Sequence, residues 1–110
     1  MSSTFGNAEL LYSTLAEDPD LGEVVDMFVD EMPDRISNLL AQLDAGNWAE
    51  LRRAAHQLKG AAGSYGFDSI SPSAANLEDA LRGSKPEEEI QRATDSLVSL
   101  CQRATSGTPR

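Results

Sequence analysis

The chain has 110 residues and a mass of 11.8 kDa, which is the size of one domain. Its 40% hydrophobic and 25% charged residues are typical of a globular protein, and 18 acidic against 9 basic residues give a net charge of −9. This charge opposes binding to nucleic acid and to anionic membranes, and the one cysteine excludes an internal disulfide. Because no apolar run could span a membrane and residues 1–9 lack a secretory-signal pattern, we expect the protein in the reducing cytoplasm. The net charge disfavours self-association and therefore predicts a monomer.

The first and longest predicted helix begins after Asp18 and carries an apolar stripe over residues 21–43. Asp18 followed by Pro19 predicts its N-cap and its first residue, and Pro33 predicts a kink within it. Ahead of this helix, the N-terminal segment 1–17 carries enough apolar residues to form a short extra helix across one end of the domain. The apolar stripe of the long helix recurs at helical spacing: Leu21, Val25, Phe28, Met32, Ile36, Leu39 and Leu43.

Three more amphipathic helices follow, and nothing in the chain has the pattern of a strand. Glutamates three residues after Asn47 and after Ser84 predict capping boxes at the starts of the second and fourth helices. Four amphipathic helices with short connections predict an all-α, antiparallel up-down four-helix bundle over residues 18–105, followed by a frayed tail at 106–110. The predicted bounds of these three helices are 47–66, 71–83 and 84–104.

The second predicted helix carries side chains that packing in a bundle does not require. His56, the only histidine, lies about 140° around the helix from the centre of the apolar stripe, and Lys59 follows on the next turn. Gly60 removes the side chain that would overhang the imidazole, although glycine inside a helix costs roughly 1 kcal/mol relative to alanine. An exposed imidazole beside an ammonium group, with an open approach, predicts a site that accepts an anionic group. Arg52 and Gly63 lie on the same side of this helix.

The stretch HQLKGAAGSYG at residues 56–66 resembles the signature of histidine-containing phosphotransfer (Hpt) domains of two-component phosphorelays. The resemblance extends over residues 18–105, and the signature residues present here are His56, Leu58, Lys59, Gly60 and Gly66. It implies that His56 accepts a phosphoryl group from the aspartyl phosphate of a receiver domain and passes it to another receiver. Lys59 would then steady the phosphoryl oxygens, and Gly60 would leave room for the docking receiver.

The same resemblance implies the partners and the cofactors. The partners would be receiver domains of response regulators or of hybrid histidine kinases, and the receiver would hold the Mg²⁺, so no cofactor or metal is expected on this chain. The sequence has no Walker-type phosphate loop, which favours a phosphoryl carrier over an ATP-dependent kinase. Whether such a carrier counts as an enzyme stays open.

Three further residues have two interpretations each. Glu78 stands where some Hpt domains have glutamine, and it is expected to accept the proton of the second ring nitrogen of His56 or to be an ordinary exposed carboxylate. Arg52 either supports receiver docking or belongs to a solvated helix face. Gly63 either leaves docking room or allows close helix packing.

Two other functions compete with phosphoryl transfer. The first is an adaptor with the same fold that binds a receiver domain or a kinase without being phosphorylated, which a phosphotransfer measurement would distinguish. The second is a di-metal enzyme, which needs several glutamate and histidine ligands facing the core. One histidine outside the apolar stripe does not supply them, so this alternative is disfavoured.

Overall fold

Four helices and two very short strands make up the computed structural model of the protein, which describes residues 10–107. Each helix packs against the next in sequence, and the first also packs against the last, which closes the bundle. The predicted all-α helical bundle is therefore confirmed. The elements in chain order are β1 (Leu11–Tyr12), α1 (Gly22–Ala45), α2 (Trp48–Ser64), α3 (Ile70–Arg82), α4 (Glu87–Arg103) and β2 (Ala104–Thr105).

The core is built from one apolar stripe on each helix, as the helical spacing predicts. Three positions of the stripe predicted for the long helix differ: Leu21 lies before α1 and is 37% exposed, and Ile36 and Leu43 are half-buried. Phe67, which follows α2, is buried and stacks on Phe28 with 5.3 Å between ring centroids. The largest fully buried side chains include Phe28, Phe67, Leu39, Leu51, Leu58, Ile70, Leu77 and Leu97.

Gly66 lies two residues after the end of α2 and has a left-handed conformation, with φ of 80°. The N–H of Phe67 donates to the carbonyl of Ala62 at 2.9 Å, which satisfies one of the last carbonyls of the helix. A Cβ atom at position 66 would lie 2.6 Å from Thr14 Oγ1 and 2.7 Å from Ser13 Oγ. Glycine is therefore required here both for its backbone conformation and for the close approach of the N-terminal segment.

The N-terminal segment differs from the sequence prediction. Over its described part, residues 10–17, the chain forms β1 and turns instead of a short helix, and β1 pairs in parallel with β2. Ser13 donates to the carbonyl of Tyr65, and the N–H of Thr14 donates to the carbonyl of Gly66. These backbone groups are satisfied by distant parts of the chain, so a local helix is not needed to pair them. Because β1 and β2 pair with each other, the prediction that the chain has no strand is wrong.

The small sheet reaches the C-terminal end of the expected bundle. Thr105, at the boundary of the expected bundle, pairs with Tyr12 in the small sheet. Residues 106 and 107 follow as a bend, whereas the rest of the predicted frayed tail, 108–110, lies outside the described residues. Residues 1–9 of the N-terminal segment also lie outside them.

The starts of the helices differ from the sequence prediction more than their buried faces do. α1 begins at Gly22 rather than after Asp18, whose carboxylate accepts the N–H of Asp20 at 2.8 Å and forms a turn before the helix. Ser84 has φ of 50° and does not cap α4, whose N-cap is Pro86. Asn47 does occupy the N-cap of α2, but neither it nor Pro86, among the described residues, makes a side-chain capping bond. The two predicted capping boxes are therefore wrong.

Candidate functional site

His56 lies in the middle of α2, on the side that faces away from the core. Its neighbours Ala55 and Leu58 are buried, which fixes the rotation of the helix, and the imidazole is 62% exposed. The ring nitrogen Nδ1 lies 2.8 Å from Oε2 of Glu78 on α3. Within residues 10–107, the other nitrogen, Nε2, has no hydrogen-bond partner, so it is open to solvent and to a reactant.

Glu78 is a buried carboxylate that accepts hydrogen bonds from three side chains. Its side chain is only 4% exposed. Oε1 accepts from the ammonium group of Lys59 at 2.7 Å. Oε2 accepts from Nδ1 of His56 at 2.8 Å and from Nη2 of Arg82 at 3.2 Å. The alternative that Glu78 is an exposed carboxylate is therefore wrong.

These three side chains stabilise the negative charge of Glu78. The hydrogen bond from Lys59 lowers the pKa of Glu78 below its ordinary value of 4.5. Burial acts in the opposite direction because it penalises the charged form, but the hydrogen bond from His56 and the charges of Lys59 and Arg82 lower the pKa further. The carboxylate is consequently ionised at neutral pH.

An ionised carboxylate determines the tautomer of the histidine. Because such a carboxylate can only accept hydrogen bonds, the proton of a neutral imidazole must lie on Nδ1, where it is donated to Glu78. The lone pair then lies on the exposed Nε2. The contact therefore orients the ring and presents a nucleophilic nitrogen at the surface of the bundle.

Lys59 lies one turn after His56, as predicted, but its ammonium group is not free. It is bound to Glu78, and its side chain is 35% exposed. The backbone of the same residue is tied to α3, because Ser71 Oγ donates to the carbonyl of Lys59 at 3.0 Å. Lys59 therefore binds the buried carboxylate in this structure.

The two glycines on this side of α2 have different surroundings. A Cβ atom added to Gly60 would meet no described atom within 4 Å, so the space beside His56 is open. A Cβ atom added to Gly63 would lie 3.5 Å from Ser71 Oγ at the start of α3. Gly60 therefore leaves an open approach, whereas Gly63 lies close to the neighbouring helix, which favours its packing interpretation.

A shallow depression of about 390 Å³ lies beside the imidazole, between α2 and α3. Sequence reasoning missed Arg82, although its spacing of four residues from Glu78 places both on one face of α3. With Lys59 nearby, four of the chain's 9 basic residues gather around the histidine of an otherwise acidic protein. The residues that line the depression are Ala49, Arg52, Arg53, His56, Glu78 and Arg82.

A sequence model of the Hpt domain family matches residues 23–106, which is most of the chain. The chain belongs to the Hpt domain family. At the level of the family, Hpt domains perform histidine phosphotransfer in phosphorelays and interact with receiver domains. No curated protein and no solved structure matches the chain.

The match of the Hpt domain covers the four helices except Gly22, the first residue of α1, and therefore includes every residue of the site described above. Outside this site, Cys101 is buried in the core, and burial raises the pKa of its thiol to about 12. This cysteine is thus protonated at neutral pH and is not a competing nucleophile. Among residues 10–107, no group of three or more His, Cys, Asp or Glu side chains is placed to hold a metal ion. The helices of the same residues include none that is long and apolar enough to cross a membrane.

The lowered pKa of Glu78 predicts how the stability of this Hpt domain depends on pH. A carboxylate whose pKa is lower in the folded state stabilises that state above its unfolded pKa, near 4.5. This contribution is lost as the pH falls through the lower, folded value. The free energy of unfolding from urea titrations should therefore decrease in acid, and it should decrease less in a Glu78→Gln variant. An equal decrease in both proteins would contradict the role of this carboxylate.

Proposed function

We propose that His56 accepts a phosphoryl group from the aspartyl phosphate of a receiver domain and relays it to a second receiver. The observation that carries this proposal is the pairing of His56 Nδ1 with the ionised Glu78, which leaves the lone pair on the exposed Nε2. The receivers would belong to response regulators or to hybrid histidine kinases. We further propose that the relay operates in the cytoplasm and that the chain acts as a monomer, since its net charge of −9 opposes self-association.

The transfer step needs little chemistry from this chain. The lone pair of Nε2 forms a bond to phosphorus, while the bond from phosphorus to the aspartyl oxygen breaks and its electrons stay on the carboxylate of the receiver. No base has to remove a proton from Nε2, because Nδ1 already carries the single proton of the neutral ring. In this proposal the receiver holds the Mg²⁺ and this chain holds none.

Positive charge and open space support the same step. The phosphoryl group brings negative charge to a surface where Lys59 and Arg82 already lie around Glu78 and where Arg52 lines the adjoining depression. Preorganised cations of this kind stabilise a transferring phosphoryl group. The bare backbone at Gly60 lets a receiver approach the ring closely.

Phosphotransfer onto the purified protein tests this function. Receivers are phosphorylated with a small acyl phosphate, separated from it and mixed with the Hpt domain. We expect phosphate to appear on the peptide that contains His56, and we expect it to be stable in alkali and labile in acid, as phosphorus–nitrogen bonds are. Binding of receivers without any phosphate transfer would instead support the adaptor interpretation.

A further inference from the structure

The buried carboxylate of Glu78 faces Nδ1 of His56, the ring nitrogen that does not react in the proposed transfer. If Nδ1 keeps its proton when Nε2 bonds to phosphorus, the ring becomes an imidazolium that carries the phosphoryl group. This cation would face the ionised carboxylate of Glu78, whose Oε2 lies 2.8 Å from Nδ1 in the unphosphorylated protein and whose side chain is only 4% exposed. A hydrogen bond between two opposite charges is stronger than one between neutral groups.

The proton on Nδ1 decides how readily the phosphorus–nitrogen bond breaks. With the proton in place, the electron pair of that bond returns to Nε2 and a neutral imidazole leaves. Without it, the leaving group is an imidazolate anion, which is a much poorer leaving group. The loose transition state of phosphoryl transfer makes the rate sensitive to this difference.

We infer that Glu78 keeps Nδ1 protonated while His56 carries the phosphoryl group, and so holds the phosphohistidine in its readily transferred form at neutral and mildly alkaline pH. This inference rests on the phosphoryl-carrier function proposed above. Glu78 is thus a positioning residue that acts through the histidine. Its consequence is a phosphohistidine that both forms and discharges without any proton entering or leaving the ring.

The other charges around the ring make the carboxylate necessary. Most of these charges are positive, so they disfavour a positive charge on the imidazole. The negative charge of Glu50 is paired with Arg53 at 3.7 Å. The phosphoryl group attracts the same cations, which leaves Glu78 to hold the ring proton. The charged side chains that contact Glu78 or line the depression are Lys59, Arg52 and Arg53 from α2 and Arg82 from α3.

The test uses phosphoramidate, a small phosphoryl donor that needs no receiver. The full chain and its Glu78→Gln variant are phosphorylated, freed of donor and followed by ³¹P NMR from mildly acidic to mildly alkaline pH. We expect the phosphohistidine of the variant to last about tenfold longer at about pH 8, the size of effect that separates charged from neutral hydrogen bonds. Because His56 is the only histidine, ¹⁵N labelling reports the protonation of Nδ1 directly.

Asp79→Asn is the matched control. Asp79 is the next residue on α3 and is exposed, so its replacement removes the same charge without touching the ring. Its phosphohistidine should decay at the wild-type rate. Circular dichroism verifies that both variants fold. Should Glu78→Gln fail to fold, the ¹⁵N signal of the wild type decides alone: a phosphohistidine whose Nδ1 is protonated at neutral and mildly alkaline pH supports the inference, and one whose Nδ1 is deprotonated there overturns it.

The outcomes separate this inference from the function on which it rests. A chain that neither phosphoramidate nor any phosphorylated receiver labels contradicts the phosphoryl-carrier function itself. A labelled chain in which Nδ1 of the wild type loses its proton at the same pH as in Glu78→Gln, with equal lifetimes, overturns the role of Glu78 alone. A longer-lived phosphohistidine in Glu78→Gln but not in Asp79→Asn supports it.

Discussion

Replacing His56 with glutamine is expected to reduce phosphate acceptance from receivers by at least about a thousandfold, because it removes the nucleophile of the proposed transfer. The fold should survive, since the side chain is 62% exposed and Glu78 keeps its contacts with Lys59 and Arg82. The measurement is the initial rate of phosphate transfer from a phosphorylated receiver, with circular dichroism to verify helix content. Undiminished transfer would mean that the acceptor is another residue.

A matched variant separates the presence of a histidine from its position. The double change His56→Gln with Gln57→His keeps the composition of the chain but turns the imidazole by about 100° around α2. Gln57 lies along the groove between α1 and α2 rather than beside Glu78. We expect this variant to accept no more phosphate than His56→Gln alone, and a recovered rate would show that the contact with Glu78 is dispensable.

Replacing Gly60 with leucine is expected to slow transfer from receivers by about a hundredfold, because misplacing two reacting atoms by about 1 Å has an effect of that size. The position is exposed and no described atom lies within 4 Å of an added Cβ, so the leucine would project towards an approaching receiver. The measurement is again the single-turnover transfer rate from a phosphorylated receiver.

Two controls keep this steric argument separate from damage to the site. Labelling by phosphoramidate should be nearly unchanged in Gly60→Leu, because a small donor does not need the space that a protein needs. Gly60→Ala should transfer at close to the wild-type rate and should be more stable by about 1 kcal/mol, since alanine is the better helix former. Normal transfer from receivers to Gly60→Leu would contradict the open approach assigned to this glycine.

The helix faces were predictable because they depend on local geometry. A stripe with a period near 3.6 residues identifies the buried side of a helix whatever that side packs against, and the buried residues of all four helices follow such stripes. The helix starts were less predictable, since several residues near Asp18 and Ser84 could have capped a helix equally well. The turns before α1 and α4 are held by local backbone hydrogen bonds, from the N–H of Gly22 to the carbonyl of Asp18 and from the N–H of Lys85 to the carbonyl of Ala80.

The small sheet shows what a local pattern cannot predict. β1 and β2 have two residues each, too few to display an alternating pattern, and they lie at opposite ends of the chain. Their pairing exists because the bundle brings the end of α4 next to the segment that precedes α1. The contact between Ser13 and the end of α2 arises in the same way.

The sequence by itself determined the four helices and the grouping of His56, Lys59 and Gly60 on one side of α2, because all three lie on one regular helix. Only the tertiary structure decided that Glu78 is buried and that Arg82 joins it. The physical reason is that the packing of α3 against α2 sets which face of α3 meets the imidazole. A carboxylate can be buried there only because cationic and N–H donors from both helices converge on it.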